Sequence, residues 1–145
     1  MQNDSNVETP QAEIPEFLRC DPRTYKVKLN NWHNDTCELE FTVVIKCTDE
    51  ALHEHNKFWC EHDYRLVMND GDIVAVILKM IGTKVFWWCY EHNSNSIHEK
   101  YGVNSIFKDE GWSSLCFEIT EMCFDNYVND DAFEFEPVQA EGAAS

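Results

Sequence analysis

Histidine and cysteine side chains, which can bind zinc, cluster around the first predicted helix of this sequence. They are Cys47, His53, His55, Cys60 and His62. Zinc requires three or four such ligands that converge in a tetrahedron, whereas residues two apart on a helix point about 200° away from each other. His53 therefore diverges from His55, and Cys60 from His62. The spacing predicts no metal and no cofactor, and places His55 and His62 at the edge of the core.

Cys89 and His92 are a second candidate pair, since residues three apart on a helix can touch and a thiolate can act as a nucleophile. Cys89, however, lies within the aromatic run Phe86–Tyr90. Burial there should raise the pKa of the thiol and leave it inert. The sequence also lacks a Gly-x-Ser-x-Gly motif, a P-loop and a Gly-x-Gly-x-x-Gly motif. We therefore predict that the protein is not an enzyme and has no catalytic residues.

Carboxylates are the most abundant reactive groups of the C-terminal third. Ten of the 27 acidic residues lie from Asp109 onward, and no Lys or Arg follows Lys108, so this segment carries −10 of the net charge of −16. Nine of these acids are the predicted binding residues: Asp109, Glu110, Glu118, Glu121, Asp125, Asp130, Asp131, Glu134 and Glu136.

Two interpretations of these acids stay open. They can form a solvated surface that keeps a small protein soluble. Alternatively, their carboxylates can stand where phosphates would and compete for the basic groove of a nucleic-acid-binding protein. The aromatic residues among them suit either an interface or the core: Phe117, Phe124, Tyr127, Phe133 and Phe135.

Composition narrows the class of partner. With 145 residues, of which 43% are hydrophobic, the chain is predicted to form a single globular domain. The net charge of −16 disfavours nucleic acid and anionic membranes as direct ligands and favours a protein with a basic surface. Seven cysteines without a tight pairing pattern, after a polar N-terminus, indicate reduced thiols in the cytoplasm. The apolar run Ile73–Tyr90 contains Lys79 and Lys84, so we expect a buried helix instead of a membrane span.

The hydrophobic patterns predict an α+β fold in the order β-β-α-α-β, with an optional last strand. A small antiparallel sheet of three to four strands should carry a helical pair on one face. Period-two alternation predicts a hairpin in which strands 24–32 and 37–45 flank a turn at His33–Asp35. Lys26 and Lys28 should face Glu38 and Glu40 on its wet side.

Helix signals follow the hairpin. Thr48 can cap a first helix, Asn69–Gly71 breaks the chain, and Asp72 can cap a second helix with an apolar face. A third strand is predicted from Leu115 to Thr120, and Phe133 with Phe135 are candidates for a fourth, at the edge of the sheet. The secondary structure of segment 97–107 is ambiguous, and one interpretation is a short helix broken at Tyr101-Gly102. Residues 1–16 are predicted to be a flexible leader, 17–136 the domain, and 137–145 a mobile tail.

Several short motifs resemble a group of small acidic proteins carried by phages and prophages, known only as a domain of unknown function. The motifs are Asn56-Lys57-Phe58-Trp59, Arg65-Leu66, Asp70-Gly71-Asp72, Ile77-Leu78-Lys79, Tyr101-Gly102 and Glu110-Gly111-Trp112. The resemblance covers Tyr25 to Phe135 and supplies no catalytic residues. His55 stands where that family is expected to have an aliphatic residue, which weakens a ligand role for it. The resemblance implies a phage protein that acts in the cytoplasm of a bacterial host cell.

Because small acidic accessory proteins of phages often block host defences, the resemblance agrees with the charge. We hypothesise a non-enzymatic protein that binds a host protein with a basic surface and inhibits a nucleic-acid-targeting defence system such as a CRISPR effector. Direct binding of nucleic acid or membrane is not expected, and a homo-oligomer is possible. Two alternatives are a small metal-binding or enzymatic domain that uses the His/Cys-rich first helix, and a structural or regulatory module whose charge serves only solubility.

Overall fold

The computed structural model describes residues 19–29, 37–126 and 134–138. In chain order its elements are β1 (Arg19–Lys28), β2 (Cys37–Cys47), α1 (Asp49–Lys57), α2 (His62–Met68), α3 (Ile73–His92), a 3₁₀ helix (Val103–Lys108) and β3 (Phe117–Asn126). The three strands form one antiparallel sheet in the order β1-β2-β3. The predicted α+β class is therefore confirmed, with a three-stranded sheet that packs against helices.

Strand β2 lies at the centre of the sheet, and its alternation decides which face is buried. Its odd-numbered residues, from Cys37 to Cys47, are all buried, whereas its even-numbered residues are exposed or half-buried. This is the pattern of a sheet with one face on the core and one face toward solvent. Lys26 and Glu40 form an ion pair at 3.2 Å on the outer face, as the predicted hairpin requires.

Helix α3 contributes more buried side chains than α1 or α2. The Asp72 carboxylate caps it by accepting a hydrogen bond from the Ala75 N–H at 3.1 Å. The helix ends at His92, and the following residue, Asn93, caps it with a left-handed φ of 50°. Eight of its side chains are buried, among them Ile77, Ile81 and Val85 with no exposed area. By length and a mean hydropathy of 1.5 this helix could also cross a membrane, a test that core helices pass as well.

The first predicted helix is in fact two helices, which corrects the expectation of a simple helical pair. The chain turns between Phe58 and Glu61, where Glu61 adopts a left-handed φ of 63°. The Arg65 guanidinium donates to the carbonyl oxygens of Asn56, Trp59 and Cys60, at 2.8 to 3.5 Å. It thereby adds a donor for carbonyl groups at the end of the broken helix, of which that of Asn56 also accepts from the Trp59 N–H at 3.2 Å.

The strand boundaries also differ from the prediction. Strand β1 begins at Arg19, five residues before Thr24, and β3 runs to Asn126 instead of ending near Thr120. Leu115 is exposed and precedes β3. The ambiguous segment 97–107 contains the start of the 3₁₀ helix, at Val103. The turn His33–Asp35 lies outside the described residues.

The expected fourth strand is not formed by the residues that the structure describes. Residues 134–138 have no regular secondary structure, and the side chain of Phe135 is 95% exposed. Phe133 lies outside the described residues. The fourth-strand prediction is therefore wrong for Phe135, whose ring does not pack on the core.

Candidate functional site

The solvent-facing side of the sheet brings together carboxylates from two neighbouring strands. Residues Glu118, Glu121 and Asp125 of β3 are exposed on this face. The register places Glu38 of β2 directly opposite Asp125, and it places Thr42 opposite Glu121. We call Glu38, Glu118, Glu121 and Asp125 the acidic ridge. A like-charge pair such as Glu38 and Asp125 costs stability, because side chains directly opposite across strands are close neighbours.

A β-bulge determines which residues of β3 reach the ridge. The pairing shifts between Thr42 and Val43, where Ile119 pairs with Val43 but Glu121 pairs with Thr42. Thr120 is therefore the extra residue, and the buried positions change from odd to even numbers beyond it. As a result Phe124 is buried, and Glu121 and Asp125 face outward beside Glu118.

Basic residues neutralise only part of this face. Lys46 pairs with Glu118 at 3.1 Å, and Lys26 pairs with Glu40 at 3.2 Å. Among the described residues, no Lys, Arg or His lies within ion-pair distance of Glu121 or Asp125. The uncompensated negative charge thus lies along β3.

The linear charge density of the ridge is lower than that of a nucleic acid. Outward-facing residues of one strand recur about every 7 Å, whereas each strand of a DNA duplex carries one charge per roughly 3.4 Å of helix axis. The ridge therefore offers a basic protein surface a short row of carboxylates instead of a full duplex outline. Such a row favours fast, salt-sensitive association.

The other predicted binding acids lie outside β3 or outside the described residues. Asp109 and Glu110 follow the 3₁₀ helix, and Asp109 pairs with Lys84 of α3 at 3.1 Å. Glu134 and Glu136 are exposed within segment 134–138. Asp130 and Asp131 lie outside the described residues. Of the nine predicted acids, the structure therefore joins Glu118, Glu121 and Asp125 into one surface.

Glu38 and Glu40 belong to the same face but were not among the predicted binding residues. The signal that could have found them is the order of the strands. Once β2 is central, its outward residues must neighbour those of β3 as well as those of β1. The sequence pattern alone predicts only that both residues face the lysines of β1.

The histidines and cysteines of the first predicted helix do not converge. Among the described residues, no three His, Cys, Asp or Glu side chains are grouped so that they could hold a metal ion. Cys47 is instead hydrogen-bonded to Cys116, which raises the pKa of Cys47 and lowers that of Cys116. No disulfide joins the seven cysteines, all of which lie in the described ranges.

His55 packs among aromatic rings. Its ring centroid lies 4.4 Å from that of Trp112 and 5.4 Å from that of Phe117. Burial, with a smaller effect of the Arg65 charge, lowers the pKa of His55 to about 4. The ring is therefore neutral at neutral pH, and its Nε2 has no hydrogen-bond partner among the described residues.

Cys89 and His92 make separate contacts. The Cys89 thiol donates to the Met122 sulfur at 3.4 Å, and burial raises the pKa of Cys89 to about 12. His92 stacks on Trp88, with ring centroids 4.4 Å apart, and its Nδ1 lies 2.9 Å from the Trp88 carbonyl oxygen. A thiol with so high a pKa is a poor nucleophile at neutral pH.

Residues from the short motifs meet around His55. Arg65 Nε donates to the buried Asn56 side chain at 2.8 Å, which fixes the turn between α1 and α2. Trp59 follows in that turn, and its ring lies 6.4 Å from that of Trp112. Gly111 lies against the rings of Phe58 and Trp59. These contacts give the motif residues a structural role in joining the helices to the turn before β3.

The fold and this surface define the class of protein: a small acidic α+β domain whose sheet exposes one charged face. Within that class, residues 42–122 match the family described as "Protein of unknown function (DUF2528)", and the chain belongs to this family. The match covers β2 from Thr42 onward, the helices and the start of β3 up to Met122. It confirms the resemblance to a domain of unknown function. No curated protein and no solved structure matches the chain.

Proposed function

We propose that this protein acts without catalysis, by binding a partner protein that has a basic surface. The observation that supports this proposal is the acidic ridge, where Glu121 and Asp125 have no cationic partner among the described residues. Retaining such a surface costs stability, because opposed carboxylates repel each other. That cost is accounted for if a partner supplies the missing positive charges.

The partner in this proposal is a host protein whose basic groove holds nucleic acid, such as a CRISPR effector or another nucleic-acid-targeting defence system. The protein would be carried by a phage or prophage, act in the bacterial cytoplasm and inhibit that system. Two features support this choice. The net charge of −16 opposes direct contact with nucleic acid, and carboxylates can compete with phosphates for lysine and arginine.

The test is a pull-down from a bacterial host lysate, at low and at moderate salt, with three forms of the protein. The ridge variant carries Glu118→Gln, Glu121→Gln and Asp125→Asn. The control variant carries Asp70→Asn, Glu91→Gln and Glu99→Gln, three exposed acids away from the ridge. Both variants change the net charge equally, so they separate the position of the charge from its total.

The wild type and the control variant should retain a nucleic-acid-handling partner at low salt and lose most of it at moderate salt. The ridge variant should bind at least about tenfold more weakly, since charged groups at an interface set the association rate and the salt dependence. If the ridge variant and the control variant retained the partner equally, the carboxylates of the ridge would serve solubility and not binding. Recovery of no partner at either salt concentration would contradict the proposal as a whole.

A further inference from the structure

A cavity of about 630 Å³ opens between helix α3 and the inner face of the sheet at β1, where Leu39 and Phe41 of β2 also line it. Its apolar walls include Val27 and Leu29 from the β1 side, and Leu78 and Phe86 from α3. Gly82 also lines it, and a methyl group at Gly82 would contact only Val27, at 3.8 Å. We call this cavity the β1 groove. Within the described residues, no strand pairs with the outer edge of β1.

The β1 groove lies under an edge strand, so a strand added beside β1 could place side chains in it. A strand added beside β1 would turn alternate side chains into the groove, toward Leu78 and Phe86. Its remaining side chains would lie on the outer face, beside Lys26 and Lys28, which also border the cavity. In the described part of the chain, no carboxylate forms an ion pair with Lys28. The groove therefore selects an extended segment that alternates apolar and acidic residues.

Segment 134–138 of this chain has that alternation. Its residues are Glu134, Phe135, Glu136, Pro137 and Val138, and the side chain of Phe135 is 95% exposed. In an extended conformation Phe135 points to one face while Glu134 and Glu136 point to the other. Pro137 lacks an N–H, which ends the strand pairing and prevents a further strand from adding to the new edge.

We propose that segment 134–138 of one molecule adds as a strand to β1 of a second copy. Phe135 would enter the partner's groove, and Glu134 and Glu136 would lie beside Lys26 and Lys28. No residue of this segment lines the groove of its own chain. A reciprocal exchange across a twofold axis fills both grooves and is the commonest symmetry of homodimers. This inference is independent of the acidic ridge.

The oligomeric state tests the proposal, measured by sedimentation equilibrium on the full chain. Because the docked segment is short, we expect a weak dimer with a dissociation constant of about 10–100 μM. Phe135→Ser should leave the protein monomeric at the highest concentration tested. Tyr64→Ser, which removes a side chain that is 60% exposed elsewhere, should leave the dimer unchanged.

A second variant alters the groove without threatening the fold. Gly82→Leu places a side chain in the groove at a helix position where a Cβ makes only an ordinary contact with Val27, so the variant should fold and remain monomeric. In a mixture of isotope-labelled and unlabelled wild-type protein, NOEs between Phe135 and Leu78 should connect different molecules. A wild type that stays monomeric, NOEs confined to one molecule, or a dimer that survives both Phe135→Ser and Gly82→Leu would each overturn the proposal.

Discussion

The protonation of His55 couples an aromatic contact to the stability of the whole fold. Burial among Trp112 and Phe117 lowers its pKa from 6.5 to about 4. Between these two values the unfolded chain binds a proton that the folded chain does not. The contribution of neutral His55 to the free energy of unfolding is therefore fully present above pH 6.5. It is lost as the pH falls toward 4.

We expect the free energy of unfolding to fall by about 2 kcal/mol from this residue between pH 7 and pH 4.5, allowing for the partial exposure of the ring. Urea unfolding of the wild type and of His55→Leu at both pH values measures the difference. The His55→Leu variant should lose this part of the pH dependence, whereas His53→Gln on the same helix should retain it. An equal pH dependence in His55→Leu and the wild type would show that other groups cause it.

Gly111 and Gly71 form a matched pair that separates backbone strain from crowding. Both have a left-handed φ, +87° and +78° respectively. A methyl group at Gly71 would meet nothing within 4 Å, whereas one at Gly111 would overlap the rings of Phe58, at 2.6 Å, and Trp59. Gly71→Ala should therefore cost about 1 kcal/mol and Gly111→Ala at least about 3 kcal/mol in urea unfolding. A similar loss of stability in both variants would mean that the rings of Phe58 and Trp59 can move aside without an energetic cost.

At the scale of elements, the outer edge of β3 is protected by two asparagine side chains. Asn104 accepts a hydrogen bond from the Ile119 N–H and donates one to the Ile119 carbonyl oxygen, both at 2.8 Å. Asn95 accepts from the Phe124 N–H. An amide side chain thus takes the place of a neighbouring strand, and it shields backbone groups that otherwise favour aggregation.

Asn104→Ala should lower the free energy of unfolding by about 2 kcal/mol, because two backbone groups of Ile119 lose their partner. It should also speed thioflavin-positive aggregation on warming. Asn104→Asp is the matched variant, since it can still accept from the N–H but cannot donate to the carbonyl oxygen. It should aggregate faster than the wild type as well. Wild-type aggregation rates in both variants would mean that other contacts protect this edge.

The elements that could be predicted from the sequence are those with unbroken periodicity. Strand β2 alternates over its whole length, and Asp72 caps α3 as its position indicated. Two local irregularities limited the rest. The bulge at Thr120 moves the buried positions of β3 from odd to even numbers. The alternation in the sequence therefore does not predict that Met122 and Phe124 continue the strand. The left-handed Glu61 depends on Arg65 reaching back to α1, a tertiary contact that no local propensity encodes.

At the scale of the whole molecule, the predicted binding acids do not all belong to one surface. The sequence places ten acids after Lys108, but sequence order does not tell which of them share a surface. Asp109 is drawn to Lys84 on the helical side, while Glu118, Glu121 and Asp125 share the outer face because β3 pairs with β2. The candidate surface was thus predictable in its chemistry, and its shape depends on the strand order.

The net charge of −16 predicts how the stability of the whole molecule responds to salt. Salt screens both the repulsion among carboxylates and the attraction within ion pairs. Five ion pairs join Lys or Arg to carboxylates with side chains that are partly to largely exposed, and exposed pairs contribute only about 0–1 kcal/mol each. Repulsion should therefore dominate, so that added sodium chloride raises the midpoint of urea unfolding.

The ridge variant with Glu118→Gln, Glu121→Gln and Asp125→Asn should start from a higher midpoint and gain less from salt. Part of the repulsion, including that between Glu38 and Asp125, is already absent from this variant. Repeating the titration with sodium sulfate at equal ionic strength separates screening from the general stabilisation by sulfate. A midpoint that falls with sodium chloride would mean that ion pairs outweigh repulsion, and that the charge on the ridge is balanced within the molecule itself.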